Sequence, residues 1–272
     1  MPPNGQGGPL KVVAIQGSPH RGNTYARVEQ LGESLQHRGV VFEHLPLAEL
    51  DLKPCRGCFR CFVEGEEACP LDDDARALSS KLAESDAAVF ATPVYSMHVS
   101  YLLKTFVDRF AYRFHRPAYF GKYAVGLAAT GGMGLKEALA YIRMFAGTWG
   151  FEYVDGLRYV DPPRGTRLRR MMEEPDRTED VASRLVRLLE TRPPRRLTYN
   201  DYLHFHAMRA VYSRAESFLP TDHAYWREKG WLDPDADYFM THVRGNPILG
   251  AAARAVAWML GKKLDKSADG NG

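Results

Sequence analysis

Residues Lys11 to Thr24 read "KVVAIQGSPHRGNT", and this stretch decides the fold. Lys11–Gln16 is a short apolar run with two adjacent valines, which suits a strand. Glycine, serine, proline and asparagine then crowd into "GSPHRGNT", and the period changes after it. Val28, Leu31 and Leu35 fall at helical spacing, so strand, turn and helix follow one another directly. The loop between them is neither a G-x-G-x-x-G fingerprint nor a P-loop, since no Gly-Lys-Ser/Thr follows. It is nevertheless rich in donors. Ser18, Asn23 and Thr24 carry them on side chains, Arg21 adds charge, and a helix N-terminus offers bare amides to an anion. Taken alone the loop reads equally well as plain capping, with Asn23 or Thr24 satisfying those amides.

Outward from this unit the alternation continues. Val40–Leu45 is β-like, Leu78–Ser85 helical, Ala87–Thr92 ("AAVFAT") a buried strand, and Tyr101–Phe110 helical. Tyr123–Ala129 is a further strand, Leu135–Trp149 a helix, Tyr153–Val160 a fifth strand and Asp180–Glu190 a closing amphipathic helix. Strands alternating with helices predict an α/β fold with a doubly wound parallel sheet. Five strands suit the flavodoxin-like order 2-1-3-4-5, whose ligand sits beyond the carboxyl ends of the strands. Residues 1–9, rich in glycine and proline, read as a flexible tail, and the sheet domain is expected over 10–195. "TRPPRR" (Thr191–Arg196) breaks the pattern. Residues 196–272 are aromatic-rich without strand–helix alternation, which predicts a mostly helical extension.

Two more loops belong to the same sheet edge. "TPVYSMHVS" (Thr92–Ser100) follows the third strand, with Pro93 expected to open an extended turn. Tyr95 and Met97 there offer flat or soft apolar surface, or else simply cover the next helix. "TGGMG" (Thr130–Gly134) follows the fourth strand, and its glycines let backbone approach a ligand or merely turn the chain.

All four cysteines lie in "CRGCFRCFVEGEEAC", spaced Cys55-x2-Cys58-x2-Cys61-x7-Cys69. A disulfide staple, zinc and an iron–sulfur cluster compete for them. Structural zinc usually takes two separated pairs, whereas successive x2 gaps look like ligation of a cubane. Among the histidines, His204 and His206 read as packing or surface residues. Glu64, Glu66 and Glu67 read as solvent-facing, and Arg164–Arg170 ("RGTRLRR") as a solvated basic face or a site for an anionic group.

Together the three loops resemble those of NADPH-dependent FMN reductases and related flavodoxin-like proteins, over roughly residues 10–195. The resemblance implies a bound FMN whose phosphate is held by Ser18, His20, Arg21, Asn23 and Thr24. It implies Pro93, Val94, Tyr95, Ser96 and Met97 against the ring, with Thr130, Gly131 and Gly132 closing over it. With a compact cysteine motif after the second strand, the chain is similar to the iron–sulfur flavoproteins of that group. This implies a [4Fe–4S] cluster on Cys55, Cys58, Cys61 and Cys69, and Asp72 and Asp73 resemble acidic residues found there. No catalytic side chain is implied. NAD(P)H is the expected donor, and the expected acceptor is a quinone, a small organic substrate or an electron-transfer protein. A homodimer or homotetramer is expected, with Trp226 and Trp231 at an interface. A dedicated dehydrogenase of an amino-deoxyisochorismate-like acid, its pocket built from the extension's rings, and a non-enzymatic electron carrier are the competing functions.

Composition narrows the classes. The chain has 272 residues, 45% hydrophobic and 25% charged, ordinary for a protein with a core. Its net charge of +3, with no basic stripe interleaved with aromatics, argues against nucleic acid. The N-terminal stretch lacks the apolar core of a signal peptide. Ile248–Leu260 is interrupted by Arg254 and too short for a bilayer. A cytoplasmic setting is expected, where clustered cysteines favour metal over a staple.

Overall fold

The computed structural model describes residues 8–161 and 175–269, so the basic stretch Arg164–Arg170 lies outside the described residues. The chain divides into two compact units. One comprises the chain up to Arg56 with Leu71–Arg192; the other comprises Gly57–Pro70 with the chain from Pro193 onward.

The first unit is a parallel sheet of β1 (Lys11–Gln16), β2 (Val41–Pro46), β3 (Ala87–Tyr95), β4 (Tyr123–Thr130) and β5 (Glu152–Val160). The strands lie in the order β2-β1-β3-β4-β5. This is the flavodoxin-like order, and the fold is α/β. Helices α1 (Asn23–Gln36), α2 (Ala75–Glu84), α3 (Tyr101–Arg109), α4 (Leu135–Thr148) and α5 (Thr178–Thr191) connect or flank the strands.

The central strands are apolar throughout because both faces are covered. Val12 and Ala14, Val89 and Ala91, and Val125 and Leu127 point to one side, where Val28, Leu31 and Leu35 of α1 and Val181, Leu185 and Leu189 of α5 bury them. The other side is aromatic. Phe90 of β3 meets Phe145 at 4.9 Å and Phe151 at 5.7 Å, both edge-on, and Trp149 is fully buried among them. Edge-to-face rings add to the burial term.

One boundary departs from the sequence reading. Pro93 does not open a turn: β3 runs on to Tyr95, with Pro93 paired to Ala129 of β4. Proline is tolerated because β1 has already ended, its Gln16 lying opposite Ala91. On that side the missing N–H is not required.

The second unit is mostly helical, built on α6 (Tyr199–Tyr212), α7 (Pro220–Glu228) and α8 (Pro247–Asp269). A capping box between Thr198 and Asp201 starts α6. A two-residue parallel pairing joins Arg195–Arg196 to Val243–Arg244. Trp226 is fully buried and Trp231 nearly so, stacked or edge-on with Phe205, Tyr212 and Phe239. These indoles form this unit's own core, which corrects their placement at a subunit interface. His206 is buried too, facing Asp237. Among the described residues no helix is long and apolar enough to cross a membrane.

Candidate functional site

The loop after β1 is shaped by close approach. A Cβ on Gly17 would meet Leu103 Cβ at 2.7 Å and Ser100 Oγ at 2.8 Å, so only glycine fits beside the start of α3. Buried Ser18 folds the chain back by donating its hydroxyl to the His20 carbonyl at 2.8 Å. The amide of Gly22 also donates to that carbonyl. Gly22 then caps α1 with no side-chain hydrogen bond. The capping alternative is therefore not what the structure shows: neither Asn23 nor Thr24 closes the helix. Thr24 is buried and Asn23 exposed at the first turn. An uncapped 14-residue helix presents its first amides and the positive end of its dipole at the sheet's carboxyl edge. His20 is exposed. Arg21 turns away to form a two-pronged pair with Glu49, at 2.8 and 3.0 Å. That hydrogen-bonded fork lowers the Glu49 carboxyl and raises the Arg21 guanidinium.

The second loop is a tight hairpin. Val94 and Tyr95 pair antiparallel with Val99 and His98. Ser96 and Met97 make the turn with φ of +48° and +68°. Two left-handed residues in a row form the hairpin turn that normally asks for Asn-Gly. Neither residue here is glycine, so the conformation stores strain, on the order of 1–3 kcal/mol per residue. Its effect is to thrust Tyr95 and Met97 outward, 42% and 46% exposed.

The third loop is tied by Thr130, which donates to the Met133 carbonyl at 3.0 Å and accepts from the Gly132 amide at 3.1 Å. Met133 is 70% exposed, and a Cβ on Gly132 would meet nothing within 4 Å. Gly131 is exposed as well.

These loops touch one another. Ser100, fully buried, donates from Oγ to the Gly17 carbonyl, accepts from Leu103 N at 3.2 Å and donates its own amide to Thr92 Oγ1. One side chain thus caps α3 and fastens the first loop to the second. Gly134 (φ +94°) fastens the second to the third, since a Cβ there would meet Val94 Cγ1 at 2.7 Å and Met97 Cα at 2.8 Å. Ser100→Ala removes a cap worth about 1 kcal/mol and orphans a buried carbonyl at about 1–3 kcal/mol. A loss of roughly 2–4 kcal/mol on chemical denaturation is expected. An unchanged midpoint would show that the fastening carries no weight.

The edge so built fits a flavin nucleotide. Bare helix amides and the Thr24 hydroxyl suit a phosphate, while the Ser18 hydroxyl is spent on the His20 carbonyl and shapes the loop around it. Tyr95, Met97 and Met133 offer apolar surface to a planar ring, and glycines leave room beside it.

In the cysteine segment, Cys55 and Cys58 are exposed, and Cys61 and Cys69 half-buried. Gly57, Phe59 and Gly65 all have positive φ, so the backbone turns sharply between thiols. Within the second unit, the single helical turn Arg60–Val63 meets α7, where Thr221 Oγ1 donates to the Val63 carbonyl at 2.6 Å. Among the described residues no three of His, Cys, Asp or Glu are gathered to hold a metal. The donor set, thiols without carboxylate or imidazole, suits an iron–sulfur group by its chemistry.

The roots of the segment are fastened in the first unit. Asp73 and Arg109, 1% and 3% exposed at their side chains, form a two-pronged ion pair. Asp73 accepts from the Lys53 amide at 2.9 Å and the Ala75 amide at 3.2 Å, and Arg109 donates to the Lys53 carbonyl at 2.9 Å. Asp51 and Asp74 add two further links, at 2.8 and 2.9 Å.

Sequence reading missed Gly17, Ser100, Arg109 and Met133, and among these Ser100 carried a usable signal, a serine directly before an apolar helix.

A sequence model of NADPH-dependent FMN reductases matches residues 10–160. An iron–sulfur flavoprotein of Archaeoglobus fulgidus is 26% identical over 228 residues, covering 82% of this chain and all of that protein. An iron–sulfur flavoprotein of Methanocaldococcus jannaschii is 38% identical over 101 residues, 37% of this chain and 51% of that one. In that second alignment the chain spans about half of the relative's length. Among solved structures, an NAD(P)H:quinone oxidoreductase from Methanothermobacter marburgensis superposes with a TM-score of 0.50 at 19% identity. It covers 67% of this chain and 97% of that one, a likeness of fold.

Proposed function

The chain belongs to the NADPH-dependent FMN reductase family, a family of flavin-dependent oxidoreductases, and from that premise we propose the following reading. The protein takes electrons from NAD(P)H at a bound FMN and passes them to a quinone or another small organic acceptor. A [4Fe–4S] cluster on Cys55, Cys58, Cys61 and Cys69 serves as one-electron partner. When bound, such a pair supplies two-electron hydride acceptance at the flavin and one-electron release through the cluster.

The chain's own residues bind and orient. The amides at the start of α1, with Asn23 and Thr24, would hold the phosphate in a loop that Ser18 shapes through the His20 carbonyl; His20 lies at the rim, and Arg21 is held by Glu49. Pro93, Val94, Tyr95, Ser96 and Met97 line the ring. Thr130, Gly131 and Gly132 would close beside it, and the open space at Gly132 would leave room for a second planar molecule. No side chain is required to move a proton. The observation that carries this reading is the joining of three loops at one sheet edge around an uncapped helix. A homodimer or homotetramer is part of the same proposal, read by light scattering on the same preparation.

The test is anaerobic purification, followed by an absorption spectrum, FMN and iron assays, and NADPH oxidation with quinone or ferricyanide. Absence of flavin after reconstitution with FMN would sink the reading. The double variant Asn23→Ala/Thr24→Val should bind FMN at least about a hundredfold more weakly, since it loses two charge-assisted hydrogen bonds worth about 1.5–3 kcal/mol each. An unchanged dissociation constant would move the phosphate elsewhere.

A further inference from the structure

Lys136, Arg143 and Arg158 line a cavity of about 420 Å³ at the outer edge of the sheet, between α4 and β5. The floor is apolar, with Leu139 and Ala140 of α4 opposite Gly156 and Leu157 of β5. Other arginines of this unit, such as Arg21, Arg38 and Arg192, each hold a carboxylate. The three cations here have no ion pair among the described residues. Among the described residues Arg143 meets the ring of Tyr153, 5.9 Å away.

The carboxylate in the lining, Asp155, is taken up. Arg177 bonds it at 2.8 Å, Arg184 approaches to 3.6 Å, and the Gly156 amide donates to it. Uncompensated cations around a concave, partly apolar wall concentrate anions.

The spacing selects among anions. Lys136 and Arg143 stand seven residues apart on α4, about 10 Å along the axis, so the cations are spread along the wall rather than gathered at one point. Arg158 faces them from β5. Two phosphate groups carried on one small molecule with a flat apolar part match this pattern, and the volume lies in the range of small-molecule sites.

Its position connects it to the three-loop edge. Lys136 follows Gly134 by two residues, in the first turn of α4. Arg158 pairs with Ala128, two residues before Thr130, a displacement of about 7 Å along the strand. The cavity therefore begins where the third loop ends.

We propose that this cavity holds the phosphorylated adenosine end of NADPH, with Lys136, Arg143 and Arg158 reading the 2′-phosphate and the diphosphate. The proposal rests on the NAD(P)H reading of the three-loop edge. It makes these residues the source of preference for NADPH over NADH.

The test uses FMN-loaded protein, with 2′,5′-ADP as probe and pyrophosphate as counter-probe. The variant is Lys136→Gln/Arg143→Gln/Arg158→Gln. Wild type should bind 2′,5′-ADP in a salt-sensitive way, and the variant at least about tenfold more weakly, as expected for loss of charge-assisted contacts. FMN content should be unchanged. The ratio of KM for NADPH to KM for NADH should rise by a similar factor.

Equal 2′,5′-ADP binding by wild type and variant, or none by wild type at millimolar probe, overturns the proposal. Pyrophosphate binding as tight as 2′,5′-ADP overturns the nucleotide. NADPH turnover with an unmoved KM in the variant overturns the cavity and spares the donor reading. Probe binding that the variant loses, in a protein that oxidises neither nucleotide, supports the cavity and overturns the donor reading alone.

Discussion

Arg109→Met is expected to lower stability by about 3–5 kcal/mol, the cost of leaving one member of a buried ion pair uncompensated. Asp73 and Arg109 are 1% and 3% exposed, so water cannot take the missing partner's place. The double variant Arg109→Met/Asp73→Leu should recover only part of the loss. A buried pair exchanged for apolar residues is often neutral, but Asp73 also accepts the Lys53 and Ala75 amides, and leucine leaves both unmet. Acid should imitate the single variant. Burial alone would raise the Asp73 carboxyl, but the Arg109 fork and the two amides outweigh it and hold the group below its ordinary value. A carboxyl depressed on folding contributes stability above its unfolded value, about 4, and that stability is lost as pH falls through the folded value. Asp73→Asn should therefore flatten the acid limb of a stability–pH curve. Denaturation midpoints at neutral and acid pH decide the matter, and a single variant as stable as wild type would mean the pair is dispensable.

Cys58→Ser should abolish bound iron and the brown absorption of an anaerobically purified sample while leaving FMN in place. The thiolate is the ligand, and a serine hydroxyl is a poor substitute for it. The loops proposed for the flavin, Ser18–Thr24, Pro93–Met97 and Thr130–Gly132, lie outside the cysteine segment. One-electron acceptors should then be reduced slowly relative to two-electron acceptors. Wild-type protein that takes up no iron under anaerobic reconstitution would refute the cluster and leave an FMN oxidoreductase with an unmetallated loop.

The sheet was legible because each strand is a continuous apolar run covered on both faces, and the helices between keep their period. The first loop stood out as polar for a related reason, but its use did not, since small polar residues between a strand and a helix serve capping and anion binding alike. The fastenings were not legible. Ser100 bonds a carbonyl 83 residues away, and Arg109 a carboxylate 36 residues away. Neither partner is marked by spacing. The Ser96–Met97 turn carries no Asn-Gly signal because its geometry is imposed by the Val94–Val99 pairing and by Gly134. Trp226 and Trp231 misled for a chemical reason: cores and interfaces both enrich aromatic rings, and composition cannot tell which side of a surface a ring faces.

The fastening of Lys53 to Asp73 and of Asp51 to Asp74 has an evolutionary consequence. Apart from the Lys53 ammonium on the Asp72 carbonyl, the bonds described for this joint belong to residues outside 54–72, so the stretch between is a cassette whose ends are already joined. Lengthening such an insert is cheap, about 0.6 kcal/mol for each doubling, and exchanging it leaves the sheet's own bonds untouched. A lineage built on this chassis can therefore gain, trim or discard a cysteine-bearing insert while inheriting its three-loop edge unaltered. The same joint is where an engineer would graft a different redox peptide.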